Sequence, residues 1–168
     1  IGTVFLEKYP QYFNGAILSS PMHQINTGNT PAFIADMLSR IWVYFGKGNE
    51  YMPGQKSYNG QRRFPSRSTN CEERYNYQYD KILKNKSFQT GGASAKWYFE
   101  ASKATRYIRN KKNISKVKIP VILLQAECDT HVIADAHYKF AKYADNCEVI
   151  IVANGKHETY FEVDEITI

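Results

Sequence analysis

Cysteine is scarce: 168 residues contain only Cys71, Cys128 and Cys147. They are odd in number, far apart and without a Cys-x-x-Cys pair. That excludes a closed disulfide framework and a zinc site, and predicts free thiols in a reducing compartment. Long apolar runs are missing too. No stretch reaches the roughly eighteen residues that cross a bilayer, so a spanning helix is excluded, and no basic-then-apolar leader is visible in these residues. There is no internal repeat or low-complexity tract. The Gly91-Gly92-Ala93-Ser94 stretch lacks the lysine and preceding strand of a phosphate loop.

What is present suits one globular core, with an ordinary apolar fraction of 43%. Charge is unevenly divided. From Gln24 to Lys118 there are 18 Lys and Arg against 6 Asp and Glu, and elsewhere 4 against 10, giving the overall +6. A basic middle set in an acidic frame suits anionic lipid, nucleic acid or an acidic partner, or simply solvates helix faces.

Apolar patterning predicts the order of elements. Ile1, Val4, Phe5 and Tyr9 recur at helical spacing until Pro10 stops the helix. Three short apolar runs, Gly15 to Ser20, Ile119 to Gln125 and Glu148 to Ala153, read as covered parallel strands, and Ala134 to Ala144 between the last two reads as a helix. Such alternation predicts an α/β sheet. About ninety residues separate the first and second strands, too many for a βα loop, so residues 24–116 are expected to be a helical insertion. Within it Thr30 and Pro31 open a helix carrying an apolar stripe of Phe33, Ile34, Met37, Leu38, Ile41, Trp42 and Phe45. This stripe is expected to pack on the rest of the insertion, with membrane contact as the alternative. Gly46 to Phe64 reads as an irregular or mobile loop. Asn70 and Glu73 form a capping box for a helix through Lys81. Trp97, Ala101, Ala104 and Ile108 are expected on one face of a further helix, and Asn110 to Lys118 as a basic linker.

Two polar residues stand where chemistry gathers in such a sheet, just past strand ends: Asp129 and His157. A histidine whose tautomer is fixed by a carboxylate is a general base matched to neutral pH. Alone, Asp129 reads as a helix cap and His157 as a loop residue; together they read as an acid and base pair. Glu127 and Asp135 are alternative acids. His131 and His137 show no spacing that forces a ligand role, and Ser19 and Ser20 lack flanking glycines on both sides.

The order strand, acid, helix, strand, histidine resembles the rear of an α/β-hydrolase. Phe5 to Met22 (FLEKYPQYFNGAILSSPM) is similar to the helix and strand following the nucleophile elbow of lysophospholipases and monoacylglycerol lipases. Cys71 to Tyr75 (CEERY), Phe88 to Gly92 (FQTGG), Trp97 and Val121 to Asp129 (VILLQAECD) resemble the bacterial lysophospholipase branch. Ala153 to Asp164 (ANGKHETYFEVD) resembles its histidine loop and the start of its last helix.

The resemblance implies the C-terminal part of an α/β-hydrolase fold, residues 1–168, with 24–116 as a helical cap insertion. It implies Asp129 as triad acid and His157 as general base. Its serine, in a Gly-x-Ser-x-Gly elbow absent from these residues, would lie about five residues before Ile1, so the chain is expected to be a fragment of a longer enzyme, inactive alone. The implied reaction is cleavage of a carboxylic ester in a lysophospholipid or monoacylglycerol through an acyl-enzyme, with no cofactor or metal. His23, Phe33, Met37, Trp42 and Trp97 are candidate substrate contacts. The expected setting is cytoplasmic, with peripheral contact to anionic membrane. Two alternatives are a noncatalytic remnant or binding module, and, with less support, nucleic-acid binding around Arg74, Tyr75, Tyr77, Tyr79 and Lys81, which lack a surrounding nucleic-acid fold.

Overall fold

A computed structural model describes residues 1–167. The chain divides into two compact units, residues 1–26, 65–72 and 104–168 in the first, and 27–64 and 73–103 in the second.

The first unit is built on a three-stranded parallel sheet, β1 (Ala16–Ser19), β2 (Val121–Ala126) and β3 (Cys147–Val152), in the order β1-β2-β3. Parallel neighbours need a crossover. Helix α6 (Asp135–Tyr143) supplies it between β2 and β3, whereas the connection from β1 to β2 contains the whole second unit. Register pairs Ala16 with Val121 and Val121 with Cys147, so the strands start together; β1 stops at Ser19 opposite Leu124, while β2 and β3 run on side by side to Ala126 and Val152. Central β2 is almost wholly apolar, and on one of its faces Val121 and Leu123 are buried with Leu6, Ile114, Val117, Phe140 and Ala144, while Ile122 and Leu124 on the other face are half-buried. Leu6 comes from α1 (Gly2–Lys8), which ends as predicted before Pro10. The expected linker at 110–118 is more ordered than its charge suggests. Asn110 accepts a bond from the Lys112 N–H and caps α5 (Lys111–Ile114), and Ile114 and Val117 are buried.

The second unit contains α2 (Ala32–Tyr44), most of α3 (Glu72–Lys84) and the front of α4 (Ala95–Ile108). The Ser102 hydroxyl donates to the Asp36 carboxylate, linking α4 to α2. Carbonyls of Glu50 and Gly48 accept from the N–H groups of Ala95 and Lys96, satisfying first-turn donors that a helix leaves unpaired. The irregular stretch before Phe64 is pinned at its end: Arg62 lies over the Tyr79 ring and pairs with Asp80, the Arg63 N–H donates to the Tyr75 hydroxyl, and Phe64 packs on Tyr75. Tyr75 and Tyr79 are therefore committed to packing within this unit.

Two helix faces differ from expectation. On α2 the buried residues are Ala35 and Ser39, while Phe33 is 71% and Met37 51% exposed, with Ile41 and Phe45 also exposed. On α4 the buried face is Ala95, Tyr98, Ser102, Thr105 and Ile108, not the face of Trp97 and Ala104. On α2 the small Ala35 and Ser39 turn inward and Phe33 and Met37 lie on the outer flank, while on α4 Ala95, Ser102 and Thr105 share the inner face with Tyr98 and Ile108 and Trp97 lies outside. Among the described residues no helix is long and apolar enough to cross a membrane.

Candidate active site

Strand β2 ends at Ala126 and the chain turns at once through Cys128 and Asp129. One Asp129 oxygen, Oδ1, accepts from the backbone N–H groups of His131 at 2.7 Å and Val132 at 3.3 Å, so the carboxylate nucleates its own turn. Antiparallel contact between Ile25 and Val132, with the Asn26 N–H donating to the His131 carbonyl, secures this turn to the chain beyond β1. The other oxygen, Oδ2, is left to act elsewhere.

His157 reaches it from the loop after β3. Asn154 there has φ +56°, a left-handed conformation asparagine tolerates. Gly155 is packed so closely that an added Cβ would stand 2.8 Å from the Val152 side chain. The two loops are laced together: Cys128 N–H donates to the Gly155 carbonyl at 2.8 Å, and Asn154 N–H donates to the Glu127 carboxylate at 2.8 Å. His157 Nδ1–H then donates to Asp129 Oδ2 at 2.8 Å. The carboxylate side chain is 2% exposed and the imidazole 31%, as suits an enclosed orienting group and an accessible base.

The electrostatics follow from this bond. Burial pushes the Asp129 carboxyl up, but hydrogen bonds from His157 and from the His131 and Val132 backbone, with the His157 charge, outweigh it and hold the group below its ordinary value. The hydrogen bond to Asp129 raises His157 above the ordinary histidine value against the opposing effect of burial. Because Nδ1 carries the shared proton, Nε2 holds the lone pair that can take a proton from a nucleophile.

The structure brings Asp129, not Glu127 or Asp135, to His157. Glu127 is engaged with Asn154, and Asp135 sits exposed in the first turn of α6, where a negative charge suits the helix N-terminus. His131, which showed no role by spacing, meets the His157 ring edge-on with centroids 4.9 Å apart, and burial holds it below its ordinary value. His23 requires a correction as a substrate contact. It is fully buried, bonded at Nε2 to Thr3 Oγ1 at 3.0 Å and packed against His137 and Phe140, and burial with the nearby His137 pushes it down to about 3. His137 is equally enclosed, with Nε2–H donating to the Pro21 carbonyl at 2.7 Å. Phe33, Met37 and Trp42 lie on α2 and Trp97 on α4, all in the second unit. Ser19 Oγ is bonded to Thr159 at 2.8 Å, and Ser20 is buried with φ +40°. Thr159–Phe161 forms a 3-10 turn, not the opening of a helix. Among the described residues no group of three His, Cys, Asp or Glu side chains is placed to hold a metal ion.

Comparison with known proteins gives this geometry a family. The family model Hydrolase_4, described as serine aminopeptidase, S33, matches residues 1–164. The probable lysophospholipase L2 of Haemophilus influenzae is 27% identical over 166 residues, covering 99% of this chain and 52% of that protein. The chain thus spans about half the length of that curated relative. Two solved structures share the fold. A soluble variant of monoglyceride lipase from Saccharomyces cerevisiae, in complex with a substrate analogue, has a TM-score of 0.69 at 14% identity, over 98% of this chain and 56% of that one. The Paleococcus ferrophilus monoacylglycerol lipase has a TM-score of 0.66 at 15% identity, over 97% and 58%. With acid and histidine beyond adjacent parallel strands, and a family match along nearly its whole length, the chain belongs to the Hydrolase_4 family of α/β-hydrolases.

Proposed function

We propose that the protein is a serine hydrolase cleaving the carboxylic ester of a lysophospholipid or monoacylglycerol, with Asp129 as orienting acid and His157 as general base. The observation that carries this reading is the 2.8 Å bond from His157 Nδ1 to an enclosed Asp129 carboxylate. The nucleophile is a serine of a Gly-x-Ser-x-Gly turn outside these residues. In the first step its Oγ attacks the ester carbonyl while His157 Nε2 takes the proton. The imidazolium then protonates the leaving alcohol, and an acyl-enzyme remains. Water, activated by the same histidine, releases the fatty acid. The lipid substrate class draws support from the lysophospholipase and monoglyceride lipase relatives.

The insertion, residues 24–116, serves in this reading as a cap that receives the acyl chain, with Phe33, Met37, Trp42 and Trp97 as its apolar contacts. Exposed Phe33, Met37, Ile41 and Phe45 along α2, in the basic part of the chain, support peripheral contact with an anionic membrane on its cytoplasmic side. The full-length protein tests the assignment. His157→Ala is expected to lower kcat/KM for a monoacylglycerol or lysophospholipid by about a thousandfold or more; retention of parental esterase activity would remove His157 from the mechanism. A genuine start codon immediately upstream of Ile1, without an in-frame serine turn, would favour the noncatalytic remnant instead.

A further inference from the structure

Residues 65–72 belong in sequence to the long connection between β1 and β2, with second-unit chain on both sides, yet they pack within the sheet unit. Their bonds converge on the two loops that carry Asp129 and His157. Arg67 Nε donates to Thr130 Oγ1 at 3.1 Å, beside the acid. On the other loop, Lys156 Nζ donates to the Ser66 carbonyl at 2.7 Å and the Thr69 carbonyl at 3.4 Å, and the Glu158 N–H donates to the Ser68 carbonyl at 2.9 Å. The neighbours of His157 on each side are therefore both held by this one segment.

Glu162 closes the arrangement. Its buried carboxylate accepts from the Asn70 N–H and the Lys156 N–H, each at 2.7 Å, and from the Asn70 side-chain amide at 3.3 Å and the Thr69 hydroxyl at 3.4 Å. Asn70 Nδ2 also donates to the Asn154 carbonyl at 3.0 Å, and Thr69 Oγ1 to the Phe161 carbonyl at 2.6 Å. A buried carboxylate must be met by donors such as these, and once met it fixes their positions.

We propose that residues 65–72 are a positioning strap, a piece of the insertion that sets where His157 stands, with Glu162 and Lys156 as positioning residues that act through it. The proposal rests on the reading of His157 as a general base, for which a displacement of about 1 Å costs up to a hundredfold in rate. Substrate binding would be little affected, because neither side chain needs to touch the lipid.

The test uses the full-length protein carrying Glu162→Gln or Lys156→Met, beside the parent and His157→Ala. The first variant keeps shape but replaces an acceptor oxygen with an amide donor facing an N–H; the second keeps the aliphatic stem and loses the ammonium. Each is expected to lower kcat about tenfold or more while KM stays within about twofold, and to broaden or shift the low-field proton resonance of His157 Nδ1–H. If both variants fold with parental kcat and an unchanged resonance, the strap is overturned. Should Glu162→Gln fail to fold, Lys156→Met decides alone by the same readings. If the parent and His157→Ala hydrolyse ester equally well, the reading of His157 as general base falls, and the resonance still decides the strap: altered in a folded variant it stands, unchanged it falls.

Discussion

Asp129 and His157 titrate against each other, and the direction of each shift fixes how activity should vary with pH. In the proposed reading His157 is the base, and it works only when neutral. Since the bond to Asp129 raises His157, the acidic limb of kcat/KM should fall through an apparent pKa above the ordinary histidine value. Asp129→Asn should move that limb to lower pH and cut the rate by about ten-thousandfold, which a pH profile of both proteins would reveal. Loss of rate with no movement of the limb would count against the pairing. This pair was legible because each residue lies just past an apolar run that reads as a parallel strand, although β3 proves only part-covered, with Ile151 exposed. His131 and Glu162 were not. The first meets His157 through the closing of a turn, and the second finds Asn70 and Lys156 through backbone N–H groups, which side-chain identity does not encode.

At the scale of elements, the three strands and the helices α1, α2, α3, α4 and α6 follow the apolar patterning closely, since period and punctuation report backbone state. Which flank of a helix is buried was less legible. Hydrophobic spacing marks the large residues on α2, whereas Ala35 and Ser39 turn inward, and no rule of spacing predicts that Ser102 will seek Asp36. The outer flank should therefore tolerate change. Phe33→Ser with Met37→Ser is expected to alter stability by no more than about 0.5 kcal/mol but to weaken co-sedimentation with anionic vesicles; equal binding would argue against α2 as the contact. Phe140, buried between the sheet and His23, is the opposite case. Phe140→Ala should cost about 3–5 kcal/mol of stability by denaturant unfolding.

Across the whole molecule, two buried titratable groups pull stability in opposite directions with pH. His23 is pushed down to about 3, so the unfolded chain binds a proton that the folded chain refuses, and stability falls as pH drops from about 6.5 toward 3. Glu7 is buried with neither carboxylate oxygen bonded, and burial raises it to about 8 against the nearby Lys116. Its folded form holds a proton that the unfolded form releases, so stability falls as pH rises from about 4.5 to 8. Glu7→Gln should accordingly raise Tm at pH 8 and make little difference near pH 5; a uniform change across that range would show that its charge is not the cause. The bond from Asn70 N–H to Glu162 spans 92 positions of sequence, which sets a schedule for biosynthesis. At roughly 5–20 residues per second, a ribosome takes on the order of five to twenty seconds to travel from one partner to the other. During that interval the strap has nothing to close on, so a growing polypeptide can complete its sheet while the histidine loop is still being made, and a chaperone or protease meets the unlatched form first.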